Sequence, residues 1–228
     1  MENLEEFDLS VDNFVDTTTK VSIKFLLDIS ESMGWHGGIE SMWAGISVFL
    51  DALRNDEYAN ECVEVSISTF NHEVNEILKF TPVKDIGQIQ KFTASSTTNL
   101  SLAIHEGIND IEKQKKYHKN NGIRYKAPWL VVLTDADIVP NEIDSAVALT
   151  TSMISNKKLT MFSIGTGNEV NIDQLKRFNP SKPVIFSPEE EDLTPLFEWL
   201  SQTTAGYSLV GEGEQFQTSE LDGRYGLI

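Results

Sequence analysis

Residues 21–27 form an apolar run, VSIKFLL, that is followed at once by an aspartate. So few polar residues over that length predict a strand covered on both faces, as in the centre of a parallel sheet flanked by helices. Asp28 ends the run, and Ser30 and Ser32 follow it in the next loop. The stretch therefore predicts one carboxylate and two hydroxyls, all hard oxygen ligands, at one edge of a sheet.

Strand and helix patterns alternate along the rest of the chain. Apolar and β-branched runs predict strands at 21–27, 62–70, 74–80, 129–134, 160–165 and 184–187. Apolar residues at helical spacing predict helices at 38–54, directly after Asn99, at 142–155, 173–178 and 188–203, with a short one near 86–92. This order predicts a three-layer α/β/α fold with a doubly wound, mostly parallel sheet. The tight turn at 71–72 makes 74–80 an antiparallel edge strand.

The charge of the chain excludes several classes of partner. It has 18 basic against 35 acidic residues, a formal net charge of −17. Such a surface repels phosphate backbones and anionic lipids, so we expect neither nucleic acid nor a membrane as a partner. It favours cations and protein surfaces of complementary charge.

Cysteine usage and the first residues favour the cytoplasm. Cys62 is the single cysteine, so an internal disulfide is excluded. The opening MENLEEFDLS is acidic and lacks the layout of a signal peptide, and the longest apolar runs are too short to cross a bilayer. We expect three regions: an arm at 1–20, a folded domain at 21–203, and a tail at 204–228. The apolar residues among the acids of the arm could form an added edge strand or pack on the domain.

Two later segments carry oxygen ligands toward the same edge of the predicted sheet. Thr98, in TTNL, precedes the second long helix, and Asp135, in LTDA, follows the strand at 129–134. In open α/β sheets, ligands bind beyond the carboxyl ends of the strands, near the point where the strand order reverses. We therefore expect the loops that carry Asp28, Thr98 and Asp135 to converge.

The pattern Asp28-x-Ser30-x-Ser32, with a distant Thr98 and Asp135, resembles the metal-ion-dependent adhesion site of the von Willebrand factor A domain. The resemblance extends from the first predicted strand to the last predicted helix. More narrowly, the segments KKYHKNNGIRYKAPWLVVLTD and FEWLS are similar to the bacterial TerY-like group, which is associated with tellurite resistance.

This resemblance implies a magnesium ion, with Mn²⁺ as an alternative. Ser30 and Ser32 would bind the ion directly through their hydroxyls, and Thr98 directly or through water. Asp28 and Asp135 would act chiefly through bound waters. Neutral donors suit the octahedral shell of magnesium, and they leave the ion electron-poor, so that it attracts an outside carboxylate. That carboxylate would be an Asp or Glu of a protein partner.

Residues next to these ligands form the expected rim of the site. We expect Trp35, His36 and Asn99 to line the surface that a partner contacts. One position departs from the family pattern, because the family often has glycine after the second aspartate and this chain has Ala136. A methyl group there is expected to alter the approach of the backbone.

The function implied by the resemblance is that of a binding module and not an enzyme: a cytoplasmic adaptor in a stress-response or tellurite-resistance system. One alternative is a magnesium-dependent phosphohydrolase with Asp28 as its nucleophile. That chemistry needs an acid two residues later to protonate the leaving group, and this chain has Ser30 there. A second alternative is a structural protein that keeps the fold without using the metal.

Overall fold

Strands and helices alternate in the computed structural model, which describes residues 18–35, 37–136, 138–167, 169–187, 192–211 and 226–227. The strands in these residues are β1 (Val21–Asp28), β2 (Val63–Phe70), β3 (Val74–Pro82), β4 (Trp129–Thr134), β5 (Thr160–Thr166), β6 (Ile185–Ser187) and β7 (Gly226–Leu227). The α-helices are α1 (Gly38–Asn55), α2 (Ala59–Cys62), α3 (Leu100–Asn120), α4 (Asp144–Ser155), α5 (Ile172–Lys176) and α6 (Thr194–Leu209). Short 3-10 turns lie at Glu31–Gly34, Val83–Asp85 and Pro140–Glu142.

The strands form one sheet in the order β3-β2-β1-β4-β5-β6-β7. Neighbouring strands from β2 to β6 are parallel, and β3 pairs antiparallel with β2 at the edge. At the other edge, the two residues of β7 pair antiparallel with β6. The predicted three-layer fold with a mostly parallel sheet is confirmed. The strand order reverses between β1 and β4, which is the place where α/β sheets bind ligands.

The core lies on both faces of this sheet. Along β1, alternate residues such as Phe25 pack toward α1 and α6, whereas Leu26 packs on the opposite face with residues of α3. Phe25 and Phe49 make an edge-to-face contact with ring centroids 5.1 Å apart. Helices α1 and α6 approach closely at Gly45, where a Cβ would overlap the ring of Phe197. Burial on both faces explains why β1 reads as an almost continuous apolar run.

One polar residue of β1 is fully buried. The Lys24 side chain is 0 % exposed, and its Nζ donates hydrogen bonds to the hydroxyls of Ser66 (2.9 Å) and Ser68 (2.8 Å) on β2. It also pairs with Asp110 Oδ2 of α3 at 3.0 Å. Buried charges of this kind need such partners to offset the loss of water. The pair fixes α3 against the sheet, and α3 begins directly after the loop that carries Thr98.

The predicted helix near 86–92 is wrong. This stretch is irregular and follows the 3-10 turn Val83–Asp85. Two of its carbonyls accept hydrogen bonds from side chains of α1. The Ile86 carbonyl accepts one from Arg54 Nη2 at 2.9 Å, and the Ile89 carbonyl accepts one from Trp43 Nε1 at 3.4 Å. These tertiary partners replace the hydrogen bonds that a helix would have supplied.

The last helix was predicted at 188–203, and residues 188–191 of that range lie outside the described residues. Helix α6 begins at Thr194, whose N–H donates to Asp192 Oδ1 at 3.1 Å. A proline occupies its first turn, as is common at helix starts. It ends at Leu209, beyond 203. The helix is therefore longer at its end than its apolar spacing indicates. The strand predicted at 62–70 begins one residue later, because Cys62 ends α2.

The two ends of the chain are described only in part. Of the predicted arm, residues 1–17 lie outside the described residues, and Lys20 forms a parallel bridge with Tyr125. Of the predicted tail, residues up to Leu209 complete α6 and 226–227 form β7. The predicted domain boundaries stay predictions. Within the described part of the chain, every helix is too short or too polar to span a membrane.

Candidate metal centre

Asp28 lies at the end of β1 and is fully buried, with both carboxylate oxygens bonded. Oδ1 accepts a hydrogen bond from the Ser30 N–H at 2.8 Å, and Oδ2 accepts one from Thr134 Oγ1 at 2.5 Å. Burial raises the pKa of Asp28 to about 6, and the negative charge of Asp135 adds to the rise. The hydrogen bonds from Thr134 and Ser30 oppose it but do not cancel it.

Ser30 and Ser32 place two hydroxyls side by side next to this carboxylate. Ser30 precedes the 3-10 turn Glu31–Gly34 in an extended conformation, with φ −61° and ψ 164°. The turn brings the Ser32 Oγ to 3.2 Å from the Ser30 Oγ. If Ser30 and Ser32 were two residues apart in a strand, the two-residue repeat of the strand would keep their hydroxyls further apart. The 3-10 turn therefore brings them together.

Asp135 follows β4 and completes a cluster with the two serines. Burial raises the pKa of its carboxyl, while hydrogen bonds from the Ser32 and Ser30 side chains lower it and the charge of Glu169 raises it further. Its Oδ1 is buried and has no hydrogen-bond partner among the described residues. A buried carboxylate oxygen without a donor is rare in proteins and calls for a ligand or water.

Thr98 lies in the loop before α3. The Thr98 side chain is half-buried and borders a small cavity of about 40 Å³ that Ala136 and Val139 line from the other side. The loop of Thr98 is joined to the loop of the serines by two hydrogen bonds, from the Ser95 N–H to the Ile29 carbonyl (2.8 Å) and from the Glu31 N–H to the Ser96 carbonyl (2.9 Å). The three loops predicted to converge therefore do converge.

Asn71, in the turn between β2 and β3, holds the Thr98 loop in place. Its Nδ2 donates to the Ser95 carbonyl at 3.0 Å and to the Ser95 hydroxyl at 3.2 Å. Its backbone carbonyl accepts from the Asn99 N–H at 2.7 Å. Sequence analysis assigned this residue only to a turn, and nothing in its local sequence indicates these contacts.

The predicted rim residues have different surroundings. The Trp35 side chain is 63 % exposed beside the serine loop. Asn99 caps α3, because its Oδ1 accepts a hydrogen bond from the Leu102 N–H at 3.0 Å, and His36 lies outside the described residues. Val139, which sequence analysis did not select, is 53 % exposed on the Asp135 side. Trp35 and Val139 are therefore exposed apolar side chains on two of the converging loops.

Ala136 fits the site without strain. Ala136 does not have a positive φ, so its backbone conformation is one that a residue with a methyl side chain adopts without strain. The Ala136 N–H donates to Thr134 Oγ1 at 3.1 Å, and its carbonyl accepts from the Asn171 N–H at 3.2 Å. The departure from glycine therefore leaves the backbone of this loop well satisfied.

The donor set fits a hard divalent cation. It combines the carboxylates of Asp28 and Asp135 with the hydroxyls of Ser30, Ser32 and Thr98, and magnesium prefers such oxygen ligands. Within the described residues, no group of three or more His, Cys, Asp or Glu side chains is placed to hold a metal, so a site of the zinc-finger type is absent there. A water molecule bound to a cation would supply the donor that Asp135 Oδ1 lacks.

A family model of the von Willebrand factor type A domain matches residues 22–199, which is most of the chain. The chain belongs to this family. No curated protein matches this A domain by sequence.

Solved structures share the fold of this A domain at low sequence identity. A von Willebrand factor type A protein from Catenulispora acidiphila has a TM-score of 0.60 and 13 % identity, with 82 % of this chain and 43 % of that chain covered. Proximal thread matrix protein 1 from the mussel byssus, with a zinc-occupied MIDAS motif, has a TM-score of 0.56 and 12 % identity over 84 % and 47 % of the two chains. Manganese-loaded TRAP protein of Plasmodium vivax has a TM-score of 0.52 and 15 % identity over 73 % and 65 %. This A domain therefore spans less than two thirds of each of these chains.

Proposed function

We propose that this A domain binds Mg²⁺ at Asp28, Ser30, Ser32, Thr98 and Asp135, and that the bound ion captures a carboxylate of a protein partner. The observation that carries the proposal is the meeting of two adjacent serine hydroxyls with a buried Asp135 whose Oδ1 has no donor among the described residues. Metals are named for two solved structures of the same fold, zinc in the mussel protein and manganese in TRAP, which supports a divalent cation here.

The carboxylates of Asp28 and Asp135 differ in whether they have an oxygen without a hydrogen-bond donor that can face the ion. Both oxygens of Asp28 accept hydrogen bonds, from Ser30 N–H and Thr134 Oγ1, so this side chain acts through waters and through its charge. Asp135 keeps one oxygen without a partner among the described residues. The hydroxyls of Ser30 and Ser32 bind the ion directly. Neutral ligands in that position leave the cation with most of its charge, which is what attracts an anionic partner.

The rim defines the chemistry of the partner. Trp35 and Val139 are exposed apolar side chains on the loops of the serines and of Asp135. An aspartate or glutamate flanked by apolar residues fits this arrangement, because the carboxylate binds the ion while its neighbours cover the exposed tryptophan and valine. The net charge of −17 makes a strongly acidic partner unfavourable, so the captured carboxylate lies within a neutral or basic surface.

A binding role accounts for these contacts better than catalysis does. A nucleophilic Asp28 needs a free carboxylate oxygen, and its side chain is buried with both oxygens hydrogen-bonded. Ser30 occupies the position where the general acid of a phosphohydrolase would stand. The protein acts as a cytoplasmic adaptor of the TerY-like, tellurite-resistance or stress-response type, a placement that rests on the sequence resemblance alone.

Calorimetric titration with MgCl₂ and MnCl₂ tests the metal site. We expect binding in the wild type and its loss in the double variant Ser30→Ala/Ser32→Ala. Ser152→Ala is the matched control, because Ser152 is an exposed serine on α4 away from the site. Equal binding by the double variant and the wild type would contradict the assignment of ligands.

Capture of the partner needs a second experiment. The immobilised protein is incubated with cell extract in MgCl₂, and retained proteins are eluted with chelator and identified. A partner that binds through the ion is retained by the wild type and by Ser152→Ala, and is absent from the Ser30→Ala/Ser32→Ala eluate. If the same proteins are retained in the presence of chelator and by the double variant, metal-dependent capture is refuted.

A further inference from the structure

We propose that residues 1–17 of this chain dock into a basic groove between α3 and α4. The groove lies where the parallel strands begin, at the opposite end of the strands from the metal centre. The groove, here called the α3–α4 groove, has a volume of about 680 Å³ and includes residues that precede β4 and β5. The proposed metal ligands instead lie at or just after the ends of β1 and β4 and in the loop before α3. The groove is therefore a separate surface, and this proposal does not depend on the metal site.

The floor of the groove is apolar. Ile108 of α3 and Leu149 and Met153 of α4 line it, together with Pro128 and Ala127 from the segment before β4. Ile108 and Met153 are buried, and Leu149 is half-buried. A floor of this kind favours a ligand with aliphatic or aromatic side chains, because covering apolar surface is favourable by about 25 cal/mol per Å².

The walls of the groove are mainly basic, although the chain as a whole is acidic. Lys115, Lys157 and Lys158 line it against a single acidic residue, Glu112. Lys115 pairs with Glu112 at 2.6 Å, whereas Lys157 and Lys158 are exposed just after the end of α4. A local excess of positive charge on a chain with a net charge of −17 attracts an acidic segment.

The chain enters the folded domain beside this groove. The Lys20 N–H donates to the Arg124 carbonyl at 2.8 Å, and the Lys20 carbonyl accepts from the Lys126 N–H at 2.9 Å. These bonds flank Tyr125, which is itself part of the groove wall. An extended chain covers about 3.3 Å per residue, so the residues just before Thr18 are within reach of the groove.

The composition of residues 1–17 complements the groove. This segment contains six acidic residues and no Lys or Arg. It also carries apolar side chains among the acids, at Leu4, Phe7, Leu9, Val11, Phe14 and Val15. Because the segment is tethered at Lys20, its effective concentration at the groove is high, in the millimolar range for short linkers, so weak contacts suffice for docking. The occupant is thus the chain's own acidic and apolar segment.

The proposal is tested on the full chain by paramagnetic relaxation enhancement. A nitroxide is attached at Ser10→Cys in a Cys62→Ala background, and amide signals are compared with those of the reduced label. We expect a selective loss of signal at Met153, Lys157 and Lys158, and recovery of these signals in the variant Lys157→Glu/Lys158→Glu. The double variant Lys79→Glu/Lys116→Glu is the matched control, because it makes the same change of charge outside the groove, and it should retain the loss of signal.

Two further measurements decide between occupants. Raising the ionic strength from about 0.1 M to about 1 M shortens the Debye length from about 10 Å to about 3 Å, and should restore the groove signals if charge holds the segment. Docking between two copies is detected in a mixture of two proteins. One carries the nitroxide without isotope enrichment, and the other is isotope-enriched without the nitroxide. Broadening in that mixture, or groove signals that are unaffected by the label in the single-species sample, would overturn the proposal.

Discussion

The hydroxyl of Thr134, the last residue of β4, donates a 2.5 Å hydrogen bond to Oδ2 of Asp28, the last residue of β1. It therefore joins the two strands between which the strand order reverses. Thr134 Oγ1 also accepts a hydrogen bond from the Ala136 N–H, so this hydroxyl fixes the start of the loop that carries Asp135. One side chain outside the expected ligand set thus contacts the Asp28 carboxylate and anchors the backbone of the Asp135 loop.

Replacing Thr134 by valine keeps the shape of the side chain and removes its hydroxyl. Asp28 Oδ2 would then lose its donor in a fully buried position, so we expect a loss of about 1–3 kcal/mol in the free energy of unfolding. We also expect weaker Mg²⁺ binding, because the Asp135 loop loses its anchor. Urea unfolding and calorimetry measure the two effects. Thr150→Val is the control, since its buried hydroxyl bonds only to its own helix, and a metal affinity lowered equally in both variants would contradict the prediction.

The raised pKa of Asp28 predicts a pH-dependent stability of the metal-free protein. Burial raises the folded-state pKa from 3.8 to about 6, so between these values the folded protein holds a proton that the unfolded chain releases. Stability then falls as the pH rises from about 4 to about 6, by about 3 kcal/mol for two pKa units.

Unfolding in urea and chelator, compared between wild type and Asp28→Asn across this range, isolates the effect. The asparagine does not titrate, so the difference in unfolding free energy between the two proteins should change through this pH window. Mg²⁺ should restore stability above pH 6, because the cation favours the charged carboxylates. Parallel stability curves for the two proteins would exclude a raised pKa at Asp28.

Asn71 gives a test of how the Thr98 loop is held. Asn71→Ala removes the donor to Ser95 and the acceptor of the Glu73 N–H at 3.0 Å. We expect a loss of about 1–3 kcal/mol in unfolding free energy and a lower Mg²⁺ affinity. Asn75→Ala, at an exposed position on β3, should leave both unchanged. A variant that is destabilised but binds Mg²⁺ with wild-type affinity would show that Thr98 does not depend on this anchor.

The pair between the buried Lys24 and the half-buried Asp110 predicts a large difference in stability between its variants. Asp110→Ala leaves the buried ammonium without its carboxylate, so we expect a loss of about 3–5 kcal/mol. Lys24→Met/Asp110→Ala should recover much of this loss, since it removes the buried charge as well. Asp51→Ala breaks the exposed pair with Arg54 and should change stability by less than about 1 kcal/mol. Equal losses in the Asp110 and Asp51 variants, measured by urea unfolding, would contradict the buried-charge explanation.

Local patterns in the sequence determined the class of the fold. The unbroken apolar run of β1 predicts burial on both faces, and the two-residue turn at 71–72 predicts an antiparallel edge strand; both features are present. The spacing of Asp28, Ser30 and Ser32 already indicates a cluster of oxygen ligands, because strand ends and the loops that follow them are local properties of the chain. Thr98 and Asp135 were added to it by the resemblance to a family and by the expected sheet order.

Tertiary structure alone decided the rest. The stretch at 86–92 has apolar spacing that suits a helix, but its carbonyls bond to Arg54 and Trp43 of α1. The Lys24 ammonium is buried because β2 and α3 surround it with acceptors more than forty residues away. Thr134 and Asn71 position the site through partners that are distant in sequence or on another loop. Sequence periodicity reports which face of an element is apolar, whereas such hydrogen bonds exist only after the elements have packed.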